Sequence, residues 1–142
     1  MFRDILLPID LGDESSWRAA LLKAIAQARA FGARLHLITV VPDFGLSIVG
    51  SFFPEGYEEA ALATASERLH AFSAEHVPDD LTVQHIVAHG TVYEEILAAQ
   101  RRIDADLILM GSHRPALRDY LLGPNAARVV RHAPCSVLVV RG

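Results

Sequence analysis

Leu107-Ile108-Leu109-Met110-Gly111-Ser112-His113-Arg114-Pro115, followed shortly by Gly123-Pro124-Asn125, is the stretch that decides how this chain folds. An uninterrupted apolar run of strand length that ends on glycine reads as a strand buried on both faces, as in parallel sheets. Gly123 then opens a helix with proline in its first turn, where a missing N–H costs little. An apolar strand from Ser136 to Arg141 closes the chain. A glycine at the carboxyl end of a strand lets a ligand approach the backbone, and a helix start leaves amide N–H groups open to an anion. His113, Arg114 and Arg118 lie between the two glycines, so the stretch reads as a phosphate cradle. The alternative reading is an ordinary strand-to-helix turn with routine capping.

Upstream, strands and helices alternate. A strand is expected from Asp4 to Ile9, then a helix from Asp13 to Phe31 with Trp17, Leu21, Ala24, Ala28 and Phe31 on one face and Gly32 as its stop. A second strand, Arg34 to Val41, should end before Pro42. After a loop over residues 43–54 comes a helix from Glu55 to Glu75, with Leu62, Ala65, Leu69 and Phe72 facing inward. A strand from Leu81 to Ala88 is ended by His89-Gly90, and Thr91-x-x-Glu94 forms a capping box for a helix reaching Ile103. The strand Asp106 to Met110 follows. Such alternation predicts an α/β domain with right-handed crossovers and a parallel sheet covered by helices on both faces. Ligands in these sheets sit outside the carboxyl ends of the strands, where strand order reverses. Asp10, just past the first strand, can accept hydrogen bonds from ribose hydroxyls or serve the following helix as a cap or turn residue. Asp13 or Ser15 could take that second job instead.

Composition bounds the function. The 142 residues make one domain, 1–142, and 51% of them are apolar. No apolar run approaches the roughly 20 residues needed to span a bilayer. Met1 leads directly into a strand without a signal-like segment, so a cytoplasmic location is expected. The formal charge of −4 and the lack of a dense basic run argue against nucleic acid as the partner. The single cysteine, Cys135, between Pro134 and an apolar strand, reads as a buried structural thiol. His85 and His89 share one strand face without a third ligand, so no metal site is predicted. His132 falls in a last helical turn, where a cation suits the dipole. Gly45 to Gly50-Ser51 lacks the lysine of a Walker loop. Phe44, Leu46, Ile48, Val49, Phe52 and Phe53 of the same loop pack locally, cover a pocket or meet a partner. Neither an acid–base pair, a serine elbow nor a metal cluster stands out, so no catalytic residue is assigned.

Ile5-Leu6-Leu7-Pro8-Ile9-Asp10, Thr39-Val40-Val41-Pro42, Met110-Gly111-Ser112-His113, Tyr120-Leu121-Leu122-Gly123 and the run Arg131 to Val140 together resemble, along the whole chain, the universal stress protein family. The Ser112-His113-Arg114-Pro115 form is similar to its short, single-domain branch. The resemblance implies a Rossmann-like three-layer domain, with a five-stranded, mostly parallel sheet ordered 3-2-1-4-5 and its switch point between the first and fourth strands. It implies ATP or another adenine nucleotide, such as AMP, bound in a sensing or regulatory role in stress response, with Mg²⁺ arriving only alongside the nucleotide. Asp10 would contact the nucleotide near ribose and base, and backbone groups of Ile9 and Val40 would face the adenine edge. Pro8, Met110, Gly111, His113, Arg114, Gly123, Asn125 and Ala126 complete the implied site. The terminal strand 136–141 would pair antiparallel with its symmetry mate, giving a twofold homodimer.

Two departures bear on the phosphates. The family's Gly-x2-Gly-x9-Gly-Ser/Thr pattern loses its second glycine to Arg114 and one residue of loop, and Pro124 stands where serine is usual. Proline removes a hydroxyl and an N–H from the cradle, so binding is expected to be weaker or differently arranged there, with Arg114 offsetting part of the loss. A nucleotide-free dimeric interaction protein, or a nucleotide hydrolase or transferase of the same fold, are the alternatives.

Overall fold

Ile5, Leu6 and Leu7 are fully buried, because the strand they form lies at the centre of a sheet covered on both faces. The computed structural model describes residues 1–42, 56–112 and 123–142. The strands are β1 (Asp4–Pro8), β2 (Arg34–Pro42), β3 (Val83–Gly90), β4 (Leu107–Gly111) and β5 (Ser136–Val140). The described helices are α1 (Glu14–Phe31), α2 (Tyr57–His76), α3 (Val92–Ile103) and α4 (Pro124–His132). The sheet runs β3-β2-β1-β4-β5 with every pairing parallel, the order that the family resemblance implied.

Side chains alternate across this sheet and build two cores. Ile5, Leu7, Leu35, Leu37, Leu107 and Leu109 pack with Trp17, Leu21 and Ala24 of α1 and with Leu69 and Phe72 of α2. Leu6, Ile38, Ile108 and Met110 pack with Ile96, Leu97 and Ala99 of α3 and with Ala126 and Val129 of α4. Trp17 meets Phe72 edge-to-face at 4.6 Å and joins α1 to α2. The Arg128 guanidinium lies 4.8 Å over the Tyr93 ring and joins α4 to α3.

Several boundaries differ from those expected. Asp13 is the N-cap of α1 rather than its first residue, and its carboxylate accepts from the Ser15 N–H at 3.2 Å. Gly32 ends that helix in the left-handed region at φ +65°, as expected. Phe31 leaves the buried stripe and sits half exposed, edge-on to Phe2. β2 continues through Pro42, which is tolerated because β1 stops opposite Ile38 and only β3 remains alongside. β3 correspondingly runs on through His89 to Gly90, paired with Pro42, instead of ending at Ala88. The capping box before α3 does not form: Thr91 is the N-cap but makes no side-chain cap bond, and Glu94 instead accepts from the Tyr93 hydroxyl. The loop 43–54 and Glu55 lie outside the described residues.

The amino end of the sheet is tied by carboxylates. Asp106 accepts from the backbone N–H groups of Arg3 and Asp4. Asp4, only 8% exposed, bonds His36 Nε2 at 2.9 Å and pairs with Arg34. Burial works to raise the Asp4 pKa, but hydrogen bonds from His36 and Arg34 and their charges outweigh it and hold the carboxyl below its usual 3.8. On the other flank, His85 of β3 stacks on His70 of α2 with ring centroids 4.0 Å apart. Its Nε2 has no hydrogen-bond partner among the described residues. Burial, and secondarily the neighbouring His70, lower the His85 pKa from 6.5.

Both shifts have the same sign for stability. In each case the unfolded chain takes up its proton at a higher pH than the folded one, so acidification favours unfolding. Urea titrations from pH 8 to 3 should show stability falling first below about pH 6.5, in a limb that His85→Gln flattens. A second fall should follow below about pH 3.8, which Asp4→Asn flattens. Limbs unchanged in both variants would contradict the assignment.

Candidate functional site

β1 pairs with β2 only as far as Pro8 opposite Ile38, whereas β2 continues to Pro42 and β4 to Gly111. The missing length leaves a notch at the carboxyl end of the sheet, at the reversal of strand order. The last bond across it is from the Ile9 N–H to the Ile38 carbonyl at 2.8 Å. That N–H is therefore occupied, and only the carbonyl of Ile9 remains to face a ligand, which narrows the expectation for this residue. Arg34 and Ile38 bond toward β1 and Leu35 toward β3, so even-numbered residues of β2 turn toward β1. Val40, next in that series, turns its peptide groups to the side where β1 has ended. Its predicted backbone role has a geometric basis.

Past Ile9 the chain reverses. Asp10 accepts from the Gly12 N–H through its side chain at 3.0 Å and from the Asp13 N–H through its carbonyl at 3.1 Å. Because Asp13 caps α1, also accepting from the Ser15 hydroxyl at 2.6 Å, Asp10 is not the helix cap. An ionised carboxylate has about four acceptor positions, so most of that capacity stays open. α1 then starts so close to β4 that a β-carbon on Gly111 would fall on the Ser16 carbonyl oxygen. Gly111 is thus required by helix packing as well as forming the floor of the notch.

The opposite wall is the start of α4. Gly123 is its N-cap with an extended backbone, φ −70° and ψ 166°, and no side chain caps the helix. The first in-register bond is from the Ala127 N–H to the Gly123 carbonyl, so the amides of Asn125 and Ala126 precede the helical ladder. Pro124 occupies the first turn and contributes no N–H. Arg131 and His132 lie in the last turn, where cations complement the dipole, as read for His132.

These elements enclose a cavity of about 440 Å³. Pro8, Ile9, Asp10, Val40, Met110, Gly111, Gly123, Asn125 and Ala126 all line it. His113, Arg114 and Arg118 lie outside the described residues. Sequence reasoning missed Thr39, which is 7% exposed, and the hydroxyls of Ser15, Ser16 and Ser112. The strand order implied by the resemblance was the signal that could have found them, since it brings the end of β2 and the start of α1 to the switch point. Asp10 and Asp13 are the only charged residues of the described lining. Attraction for an anion here comes from amide dipoles, above all those opening α4.

The other chemistry-bearing residues lie elsewhere. His89 Nδ1 is 3.0 Å from Glu58 of α2, and among the described residues no three metal-ligating side chains converge. Cys135 is half-buried against the α3–α4 core, and burial pushes its thiol pKa up.

Residues 1–141 match the sequence profile of the Universal stress protein family. Universal stress protein G of Escherichia coli O157:H7 is 30% identical over 143 positions, covering 99% of this chain and 100% of that protein. A Thermus aquaticus protein, "Universal stress protein in QAH/OAS sulfhydrylase 3'region", is 36% identical over 145 positions, with 99% and 100% covered. Among solved structures, the hypothetical protein MJ0577 shares the fold with a TM-score of 0.81 at 26% identity, over 100% of this chain and 97% of that one. A universal stress protein in complex with cAMP has a TM-score of 0.59 at 24% identity, covering 99% and 97% of the two chains. One from Archaeoglobus fulgidus in complex with dAMP has a TM-score of 0.60 at 18% identity, covering 96% of each.

Gly111→Ala should destabilise the fold by about 1–3 kcal/mol, since the Ser16 carbonyl is backbone and cannot swing aside. Urea midpoints of the two proteins check this. An unchanged midpoint would show that α1 yields without cost.

Proposed function

This chain belongs to the universal stress protein family, and from that premise we propose that its notch binds an adenine nucleotide for sensing or regulation in stress response, without turnover. The observation that carries the reading is the cavity itself, which joins the free edge of β2 at Val40, the Asp10 carboxylate and the amides opening α4. Adenine lies between Pro8, Ile9 and Met110 with its polar edge against the Val40 peptide. Asp10 takes ribose hydroxyls, and the phosphates run over Gly111 toward Gly123 and the N–H groups of Asn125 and Ala126. His113 and Arg114 follow Ser112 in the sequence, and by the family resemblance the Arg114 guanidinium is the cation and His113 a hydrogen-bond donor for the phosphates. A Mg²⁺ ion accompanies the phosphates where their number requires one. Adenine is the base chosen because the cAMP and dAMP complexes of proteins sharing the fold have it in common.

β5 completes the proposal. Among the described residues it pairs only with β4, so its outer edge is the edge of the sheet, and its Leu138 is 37% exposed. We assign this edge to a twofold homodimer, formed by β5 and its symmetry mate. The same exposed edge favours a second reading, a nucleotide-free protein that acts through its surfaces. Among the described residues no helix is long and apolar enough to cross a membrane. The cytoplasmic location expected from the sequence is part of the same proposal.

Native mass spectrometry followed by acid release should find about one adenine nucleotide per subunit. A protein that carries none and takes up no added ATP would overturn nucleotide binding and leave the surface reading. Pro124→Ser should restore one amide and one hydroxyl and tighten ATP binding about tenfold to a hundredfold, the effect of one charge-assisted donor. Val139→Pro should give a monomer or an insoluble chain in sedimentation velocity, whereas an intact dimer at low concentration would move the interface elsewhere.

A further inference from the structure

A second cavity, of about 570 Å³ and a shallow trough more open to solvent than the first, lies along α2 among the described residues. Asp10, Thr39, Val40 and Pro42 line both cavities, so the two meet across the tip of β2 and the turn after β1. Each is of a size to hold a small organic ligand. A mononucleotide seated as proposed reaches only the first, and among the described residues nothing occupies the second.

The walls of the second cavity say what could enter. Tyr57 and Arg68 stand at its ends, eleven residues apart on α2, which is about 16 Å of helix. Between them Ala60, Ala61, Thr64 and Ala65 leave a trench. Arg68 is held across it by donation to the Leu11 carbonyl at 3.2 Å, in the turn that carries Asp10. A guanidinium has five donors, so further ones are left for a ligand.

Resting on the nucleotide reading above, we propose that this chain takes an adenine nucleotide extended from its ribose 3′ oxygen by a second nucleotide, whose base occupies the cavity under α2. Asp10 is on the shared wall, so with the 2′ hydroxyl donating to it the esterified 3′ oxygen turns its substituent toward the second cavity. The bridging phosphate meets Arg68, and the second base lies along the alanine trench against Tyr57. A phenol ring and a guanidinium both offer flat faces to a nucleobase. A hydrocarbon chain would instead leave Thr39, Thr64 and Arg68 facing apolar matter. A free phosphate would find a single cation with the Asp10 carboxylate close by, a weak site for so concentrated a charge.

Isothermal titration with AMP and with 5′-phosphorylated diadenylate, pApA, tests the extension. The dinucleotide should bind at least about tenfold more tightly than AMP, one favourable contact's worth of affinity. Ala61→Phe should remove that advantage while leaving AMP affinity unchanged. Thr64→Trp, at an exposed position of α2, repeats the test should Ala61→Phe fail to fold. Arg68→Gln should reduce the advantage in part. The proposal falls if pApA binds no better than AMP, or if its advantage survives filling of the trench. Failure of AMP itself to bind would bring down the nucleotide reading as well, whereas AMP binding without a pApA advantage would remove the extension alone.

Discussion

β1 stops at Pro8 between two neighbours that run on, and the arrangement at the carboxyl end of the sheet follows from that difference in length. Had β1 matched β2, the Val40 peptide would be bonded within the sheet and no edge would face the notch. Proline is suited to the last position because Ile9, not Pro8, supplies the final N–H across to Ile38. From there the chain turns through Asp10 into α1 on one face, while the crossover from β3 to β4 places α3 on the other. The connections that leave β1 and β4 go to opposite faces and open the space between the first turns of α1 and α4, and the cavity occupies that space.

The floor of the notch is a packing contact first. Gly111 reads in sequence as room for a ligand, and the structure shows the room already claimed by the Ser16 carbonyl from α1. The two roles are compatible, since the same missing β-carbon lets α1 close down on β4 and keeps the floor flat. Asp10 and Asp13 divide labour in a similar way. Sequence left the capping job open between Asp13 and Ser15 if Asp10 did not take it, and only the fold shows Asp13 accepting from Ser15. Asp10 is thereby left beside the cavity with one side-chain bond among the described residues.

Apolar runs such as Leu107 to Met110 and the spacing of Trp17, Leu21, Ala24 and Ala28 announced strands and helices, because burial on two faces or one stripe leaves a periodic trace. Strand order leaves no such trace, and here it rested on the family resemblance. Partner-dependent features were the least legible. Pro42 looked like a stop because a missing N–H matters in a strand paired on both sides, yet β1 had already ended there. Glu94 looked like half of a capping box until the Tyr93 hydroxyl took it. The cavity under α2 left no signal at all, since Ala60, Ala61 and Ala65 read as good helix formers whether or not they face a void.

Charge decides where a bound nucleotide would be held most firmly. The described lining has two carboxylates, Asp10 and Asp13, and no cation, while the helix end proposed to meet the phosphates begins with a proline that lacks an N–H. Dipole attraction at a helix start amounts to about 0.3–1 kcal/mol at an exposed site, less than a single charge-assisted hydrogen bond. At the end proposed for adenosine, by contrast, the Val40 peptide edge, the Asp10 carboxylate and the apolar surfaces of Pro8, Ile9 and Met110 line one partly enclosed space. Selectivity in such a site belongs to the base and ribose rather than to the count of phosphates. Serine in place of Pro124 would add an amide and a hydroxyl facing the phosphates, so a single residue on this fold can shift the grip from one end of the ligand to the other.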